Sequence, residues 1–181
     1  QFAESISRGD FVTSFVDSFV DAPLPKGHPE LLRTTSALGP VLVFGASNFP
    51  FAFSVLGGDT ASALAAGCTV IAKAHPAHPQ TSEAVFKIAS KHLPAGVLSL
   101  IHGVTPGIAV LEDNRIKATA FTGSRSGGRA LFDIATKRIQ PIPFYGELGS
   151  VNPVVELKGG AEDAKVFATG YLDSLLLGNG Q

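Results

Sequence analysis

A chain of 181 residues with 45% hydrophobic and 16% charged residues can bury a full core as one domain or one large lobe, which excludes disorder. The formal net charge of -1 and a pI of about 6.6 provide no broad basic field, so neither nucleic acid nor an anionic membrane surface is an expected partner. The apolar stretches are short and broken by Gly, Pro, Asp or Lys, well below the roughly 18 to 20 residues that span a bilayer. One cysteine cannot form an internal disulfide. With no charged-then-apolar leader, these features predict a soluble, cytoplasmic protein. The chain opens on Gln1, contains no methionine and closes abruptly on Leu175-Leu176-Leu177-Gly178-Asn179-Gly180-Gln181. It is expected to be a trimmed, split or partial product, with further chain meant to follow.

Phe11, Phe15 and Phe19 recur at four-residue spacing, the pattern of one helical face, and predict an amphipathic helix whose stripe packs against a neighbour. Asp21 to Pro29 then carries three prolines in seven residues, Pro23, Pro25 and Pro29, which remove backbone donors and make a connector. Residues 1–38 are therefore expected to form an N-terminal helical segment and its connector, and residues 39–181 a separate domain.

From residue 40 the pattern changes to short β-branched or apolar runs. They are Val41 to Phe44, Thr69 to Ala72, Val97 to Ile101, Ala118 to Phe121 and, more weakly, Ile142 to Tyr145. Continuous apolarity is what strands need when helices cover both faces of a sheet. The intervening segments Val55 to Ala66, Thr81 to His92, Thr105 to Glu112 and Ser124 to Lys137 are long enough for right-handed crossovers. The alternation predicts an α/β fold, an open doubly wound parallel sheet with ligands at the carboxyl ends of its strands.

Several chemistries fail on inspection. Neither the G-x-G-x-x-G fingerprint nor a phosphate loop ending in Gly-Lys-Ser/Thr is present. His75 and His78 are interrupted by Pro76 and Pro79 and have no nearby carboxylate or thiol in sequence, so no metal site is expected. Gly45-Ala46-Ser47-Asn48-Phe49 begins like a hydrolase nucleophile elbow but has Phe49 where the tight turn needs glycine. Cys68 opens an apolar run, and a packing role in the core is expected of it. The Tyr-x-x-x-Lys pair of short-chain dehydrogenases is missing, since Tyr145 and Tyr171 are followed at that spacing by Gly149 and Leu175.

Four segments remain, each at a strand end. They are Gly45-Ala46-Ser47-Asn48-Phe49-Pro50, Lys73-Ala74-His75-Pro76, Phe121-Thr122-Gly123-Ser124-Arg125-Ser126-Gly127-Gly128 and Glu147-Leu148-Gly149-Ser150-Val151-Asn152-Pro153. In this order they resemble the aldehyde dehydrogenase superfamily, whose signatures are Asn-Phe-Pro, a strand-end Lys, Phe-Thr-Gly-Ser and Glu-Leu-Gly-Gly-x-Asn-Pro. The variants are most similar to the branch that contains 2-oxoglutarate semialdehyde dehydrogenases and NADP-linked fatty aldehyde dehydrogenases. The resemblance implies a Rossmann-like cofactor domain, an NADP or NAD cofactor, a small-molecule aldehyde substrate and a homo-oligomeric full-length protein.

It also implies roles for individual residues. In the family a thiolate attacks the aldehyde and an Asn side chain, matched by Asn48, steadies the oxyanion; one such donor is worth roughly 3 to 4 kcal/mol. Glu147 matches the base that activates water for thioester hydrolysis; its apolar, glycine-rich stretch suits an enclosed carboxylate, with a surface-loop carboxylate as the other reading of the sequence alone. Gly123-Ser124 precedes a helix whose free amides and dipole would face a pyrophosphate. Lys73 matches the lysine that contacts the adenosine ribose. Three positions later, where NAD-preferring members commonly carry Glu, stands Pro76, which removes a repulsion against the 2′-phosphate of NADP. Leu148 matches a residue near the nicotinamide, with simple core packing as the other reading. Gly45, Ala46, Ser47, His75, Phe121, Thr122 and Gly127 complete the implied cofactor site.

The family nucleophile follows a Gly-Gln-x-Cys pattern, and Gly180-Gln181 are the last residues present. The 181 residues alone are thus expected to bind a dinucleotide at best and to oxidise nothing. The alternative, a non-catalytic dinucleotide-binding or scaffold protein, needs neither an oxyanion donor nor a water-activating base, so the retention of Asn48 and Glu147 favours an enzyme.

Overall fold

In the computed structural model, which describes residues 2–10, 14–149, 151–157 and 163–177, the chain divides into two units, 1–149 and 150–181. The first opens with α1 (Phe2–Ser7), followed by the antiparallel strands β1 (Phe15–Asp17) and β2 (Leu31–Arg33). The helix expected across the phenylalanine stripe is replaced at Phe15 by strand, while Phe11 lies outside the described residues. A four-residue spacing is even, so it also places side chains on one face of a strand, and the β-branched Val16 and Val20 favour the extended backbone. The Arg33 guanidinium lies 4.5 Å from the Phe15 ring centroid. A bridge between Val20 and His28 closes the pair around the proline-rich connector. Phe15 and Phe19 remain 52% and 64% exposed, so the described residues cover the stripe only in part.

The chain then alternates through β3 (Val41–Phe44), α2 (Gly58–Ala65), β4 (Val70–Lys73), α3 (Pro79–Ala89), β5 (Leu98–Ile101), α4 (Val104–Glu112), β6 (Ala118–Thr122), α5 (Arg125–Lys137) and β7 (Phe144–Glu147). All four strand pairings are parallel, in the order β5-β4-β3-β6-β7. This is the open doubly wound sheet that the alternation predicts. Its central strand, β3, is buried along its whole length and sorts its side chains by parity. Val41 and Val43 join Val55, Val70 and Ala72 on one face, where Leu64 of α2 and Phe86 of α3 pack. Leu42 and Phe44 join Leu111, Ile116 and Ala135 on the other, with Val110 of α4 and Leu131 of α5. Each such burial of a Val or Leu contributes roughly 1.5 to 3 kcal/mol. Cys68 is buried in the first of these clusters, in the packing role expected of it. Thr119, fully buried, donates its hydroxyl to the Leu42 carbonyl at 3.0 Å, so its polar atom is satisfied inside the core.

The last strand is shifted from the run expected at Ile142 to Tyr145. Pro141 and Pro143 have no amide to give to a ladder. The Pro143 carbonyl accepts from the Thr119 amide at 3.0 Å, and regular pairing begins at Phe144. Ile142 turns into the core instead, and Glu147 becomes the final residue of the strand rather than part of the loop after it.

From β3 the chain steps outward to β4 and β5, then returns to the opposite side for β6 and β7. The winding reverses between β3 and β6, and the loops beyond their carboxyl ends flank the crevice where such sheets bind ligands. In the second unit, α6 (Ala164–Leu176) is capped by the Asp163 carboxylate, which accepts from the amides of Lys165 at 3.0 Å and Val166 at 3.1 Å. Among the described residues no helix is long and apolar enough to cross a membrane.

Candidate functional site

Parallel register brings Gly45, Lys73, Thr122 and Glu147, where the four segments meet their strands, to one edge of the sheet. Phe44 pairs with both Lys73 and Phe121, Lys73 with Ile101, and Thr122 with Glu147. The ladder runs one residue further on β3, where the Gly45 amide donates to the Lys73 carbonyl at 2.9 Å. A Cβ at Gly45 would stand 2.8 Å from Ser54 Oγ and 3.3 Å from that carbonyl, so the close approach of the two loops requires glycine. Ala46 is buried and its amide donates to the Phe53 carbonyl at 2.7 Å. Ser47 and Asn48 then emerge into solvent. Behind them the Phe53 amide donates to the Phe49 carbonyl at 3.0 Å, and the two rings meet edge to face.

Lys73 is buried, with its ammonium 5.8 Å from the Phe44 ring centroid. Burial lowers its pKa from the ordinary 10.5. Among the described residues no carboxylate forms an ion pair with it. His75 is half-buried and its pKa is lowered, first by burial and then by the charges of Lys73 and His78. Its Nδ1 accepts from the Ala77 amide at 3.1 Å. Pro76 is exposed beside it. His78 places Nε2 2.7 Å from the Ala46 carbonyl oxygen and Nδ1 3.3 Å from Ser82 Oγ. The two histidines do meet, with ring centroids 5.6 Å apart. Among the described residues no group of three or more His, Cys, Asp or Glu is arranged to hold a metal ion.

On the other side of the crevice the Gly123 amide donates to the Glu147 carbonyl at 3.1 Å, joining the turn after β6 to the end of β7. Ser124 caps α5: its Oγ accepts from the Gly127 amide at 3.2 Å and its carbonyl from Gly128 at 2.9 Å. The amides of Arg125 and Ser126 have no acceptor among the described residues, which leaves donors at the mouth of the helix. Phe121 lies under this turn, its ring 6.3 Å from that of Phe44. Leu148 rests against α5 at Gly128. Glu147 is exposed, so the described residues do not build the enclosure expected around its carboxylate. Asn152 and Pro153 belong to the second unit, and Ser150 lies outside the described residues.

Two residues at this edge escape a motif-based reading. Asp59 lies in the first turn of α2; its pKa is raised by burial and then by the charge of Glu147, against a lowering effect of the Thr122 side chain. A signal for it exists in the sequence, because Asp59 is the sole charged residue between Arg33 and Lys73. His78 is the other. Its histidine-proline context argues against a metal and says nothing of a carbonyl brought from 32 residues upstream.

Residues 9–181 match the family model described as the aldehyde dehydrogenase family. The chain belongs to that family. It is 49% identical over 188 residues to alpha-ketoglutaric semialdehyde dehydrogenase 2 of Azospirillum brasilense, covering 99% of this chain and 36% of the relative. It is 46% identical to alpha-ketoglutaric semialdehyde dehydrogenase of Acinetobacter baylyi, covering 85% and 30%. Among solved aldehyde dehydrogenases, that of Mycobacterium tuberculosis complexed with NAD+ superposes with a TM-score of 0.65 at 27% identity, covering 82% of this chain and 28% of that one. The chain therefore spans about a third of the length of the curated relatives it matches. Both relatives are of the semialdehyde branch to which the motif variants point.

Proposed function

We propose that this chain is the cofactor-binding portion of an NAD(P)-dependent aldehyde dehydrogenase that oxidises a semialdehyde to the carboxylic acid. The observation that carries this reading is Lys73, a buried ammonium with no carboxylate partner among the described residues, at the sheet edge where the amides of Arg125 and Ser126 also lack acceptors. A buried cation and free helix-terminal donors suit an anionic ligand with a phosphate. The names of the two semialdehyde dehydrogenases and of the NAD+-bound mycobacterial enzyme support the substrate class and the cofactor class.

In this proposal Lys73 holds the adenosine ribose, with His75 and Pro76 beside it. Gly123, Ser124 and the first turn of α5 hold the pyrophosphate, above Phe121, Thr122 and Gly127. Gly45, Ala46 and Ser47 form the opposite wall, and Leu148 packs near the nicotinamide. Pro76 presents no carboxylate to a 2′-phosphate, so NADP is accepted. Bound NAD(P)+ supplies the hydride acceptor. Asn48 donates its side-chain amide to the oxyanion formed when a thiolate adds to the aldehyde. Glu147 takes the proton of the water that hydrolyses the thioester, releasing the acid and the thiol. Cys68 is buried in the core, away from the loops, so the thiol belongs to a part of the enzyme not included in these residues.

Titration calorimetry with NADPH tests the cofactor assignment. Lys73→Ala is expected to weaken binding by about tenfold or more, the loss of one charge-assisted contact; unchanged affinity removes Lys73 from the site. In the complete enzyme, Asn48→Ala is expected to lower kcat by about 100- to 1,000-fold.

A further inference from the structure

We propose that His78 is a positioning residue for the Asn48 loop, its imidazole tying the segment between β3 and α2 to the one between β4 and α3. The inference rests on the aldehyde dehydrogenase reading above, because it assigns His78 a part in placing the oxyanion donor.

A carbonyl oxygen can only accept, so the 2.7 Å contact with Ala46 requires that His78 Nε2 carries the proton and donates. Its Nδ1 faces Ser82 Oγ at 3.3 Å. Ser82 is buried and its hydroxyl donates to the His78 carbonyl at 3.1 Å, so the ring packs against a fixed partner within α3. On its flank stands the His75 ring, tilted by 33°. The imidazole is thus held on the α3 side and reaches across to the other loop with its remaining nitrogen.

At the receiving end both backbone groups of Ala46 are occupied: its amide donates to Phe53 and its carbonyl accepts from His78. The carbonyl of residue 46 fixes the plane of the 46–47 peptide. Rotation of that plane swings Ser47 and Asn48, which are exposed. The amide of Gly45 is meanwhile bonded to the Lys73 carbonyl. The backbone bond from Gly45 and the bond from His78 both tie the segment that carries Asn48 to the one that carries Lys73. If His78 acted only by filling space, any ring of similar size would serve. Positioning requires a donor at Nε2.

The experiment compares wild type, His78→Phe and His78→Gln in the complete enzyme, since Phe keeps the ring without the donor and Gln offers an amide near the Nε2 position. His78→Phe is expected to lower kcat by about 10- to 100-fold, the scale of a misplacement near 1 Å, with the aldehyde KM changed less than about twofold. His78→Gln should recover most of kcat. Wild-type kcat in His78→Phe overturns the proposal, and so does a parallel loss of kcat and thermal stability in both variants. Hydrogen exchange over residues 45–54 gives a readout independent of turnover. Should the wild type oxidise no aldehyde, the functional reading fails by itself, and exchange still decides the loop. Protection in wild type and His78→Gln but not in His78→Phe supports the link; equal protection in all three removes it.

Discussion

Lys73 and Gly107 are fitted to one another: a Cβ on Gly107 would stand 3.1 Å from Lys73 Cγ and 3.1 Å from Phe44 Cε1. The first half of α4 thereby lies on the aliphatic stem of the lysine, pressing it along the Phe44 ring. A Gly107→Val substitution places a branched side chain in that space. The Phe44 ring is fixed in the core, so the lysine stem must yield. Overpacking of this kind costs about 1 to 3 kcal/mol. The urea midpoint should fall accordingly, and NADPH affinity should weaken with it because Lys73 is displaced. A variant with the wild-type midpoint and affinity would show that α4 does not confine the lysine.

Lys73 itself is expected to trade stability for binding. Its folded pKa lies below the ordinary 10.5, so the folded state disfavours the charged form. A lowered pKa gives a stability contribution that is present above the unfolded value and lost as pH falls through the folded value. At pH 7 the buried ammonium is therefore a cost, and Lys73→Met, which keeps the stem without the charge, should melt at a higher temperature than the wild type. The gap should close as pH rises toward 10.5. NADPH affinity should fall in the same variant. Thermal melts across this pH range are the measurement, and a gap that does not change with pH counts against desolvation as the cause.

Those two predictions depend on contacts of different legibility. Strand-end placement of Lys73 is visible in the sequence, because Val70-Ile71-Ala72 is a continuous apolar run and the charge that ends it marks the sheet edge. The doubly wound parallel sheet follows from the same alternation, since right-handed crossovers between covered strands leave few topologies, whereas the strand order itself is seen only in the fold. What packs on the lysine is not visible: Gly107 sits 34 positions later in a helix expected only as a crossover, and only the folded register brings the two together. The phenylalanine stripe misleads for a related reason, since a spacing of four satisfies a strand as well as a helix. Proline placement moved β7 by two residues, and with it Glu147, a shift that donor counting at Pro141 and Pro143 would have caught.

His75 should respond to acid. Burial, then the charges of Lys73 and His78, hold its pKa below the usual 6.5. Its Nδ1 accepts the Ala77 amide, a bond that a protonated Nδ1 cannot make. By the same linkage, the stability it contributes is present above 6.5 and lost as pH falls through the folded value. His75→Asn has a side-chain oxygen that can accept the same amide at any pH and should flatten the acid limb of the melting profile. The ring resonances of His75 should titrate with a midpoint under 6.5, and one at or above it would remove the assigned cause.

Asp59 has the opposite sign. Its pKa is raised above the ordinary 3.8 by burial and then by the nearby charge of Glu147, outweighing a lowering effect of the Thr122 side chain. A raised carboxyl pKa gives stability that is present below 3.8 and lost as pH rises through the folded value, so at pH 7 the ionised Asp59 is a cost. Asp59→Asn keeps the shape of the side chain and removes the charge. It should melt higher than the wild type at pH 7, with the difference vanishing below 3.8. The part due to Glu147 is separable by a double-mutant cycle, since two charges that share a site give non-additive effects. In a Glu147→Gln background the gain from Asp59→Asn should shrink, leaving only the share that comes from burial. An equal gain in both backgrounds would mean that the two carboxylates do not sense one another and that burial alone raises the Asp59 carboxyl.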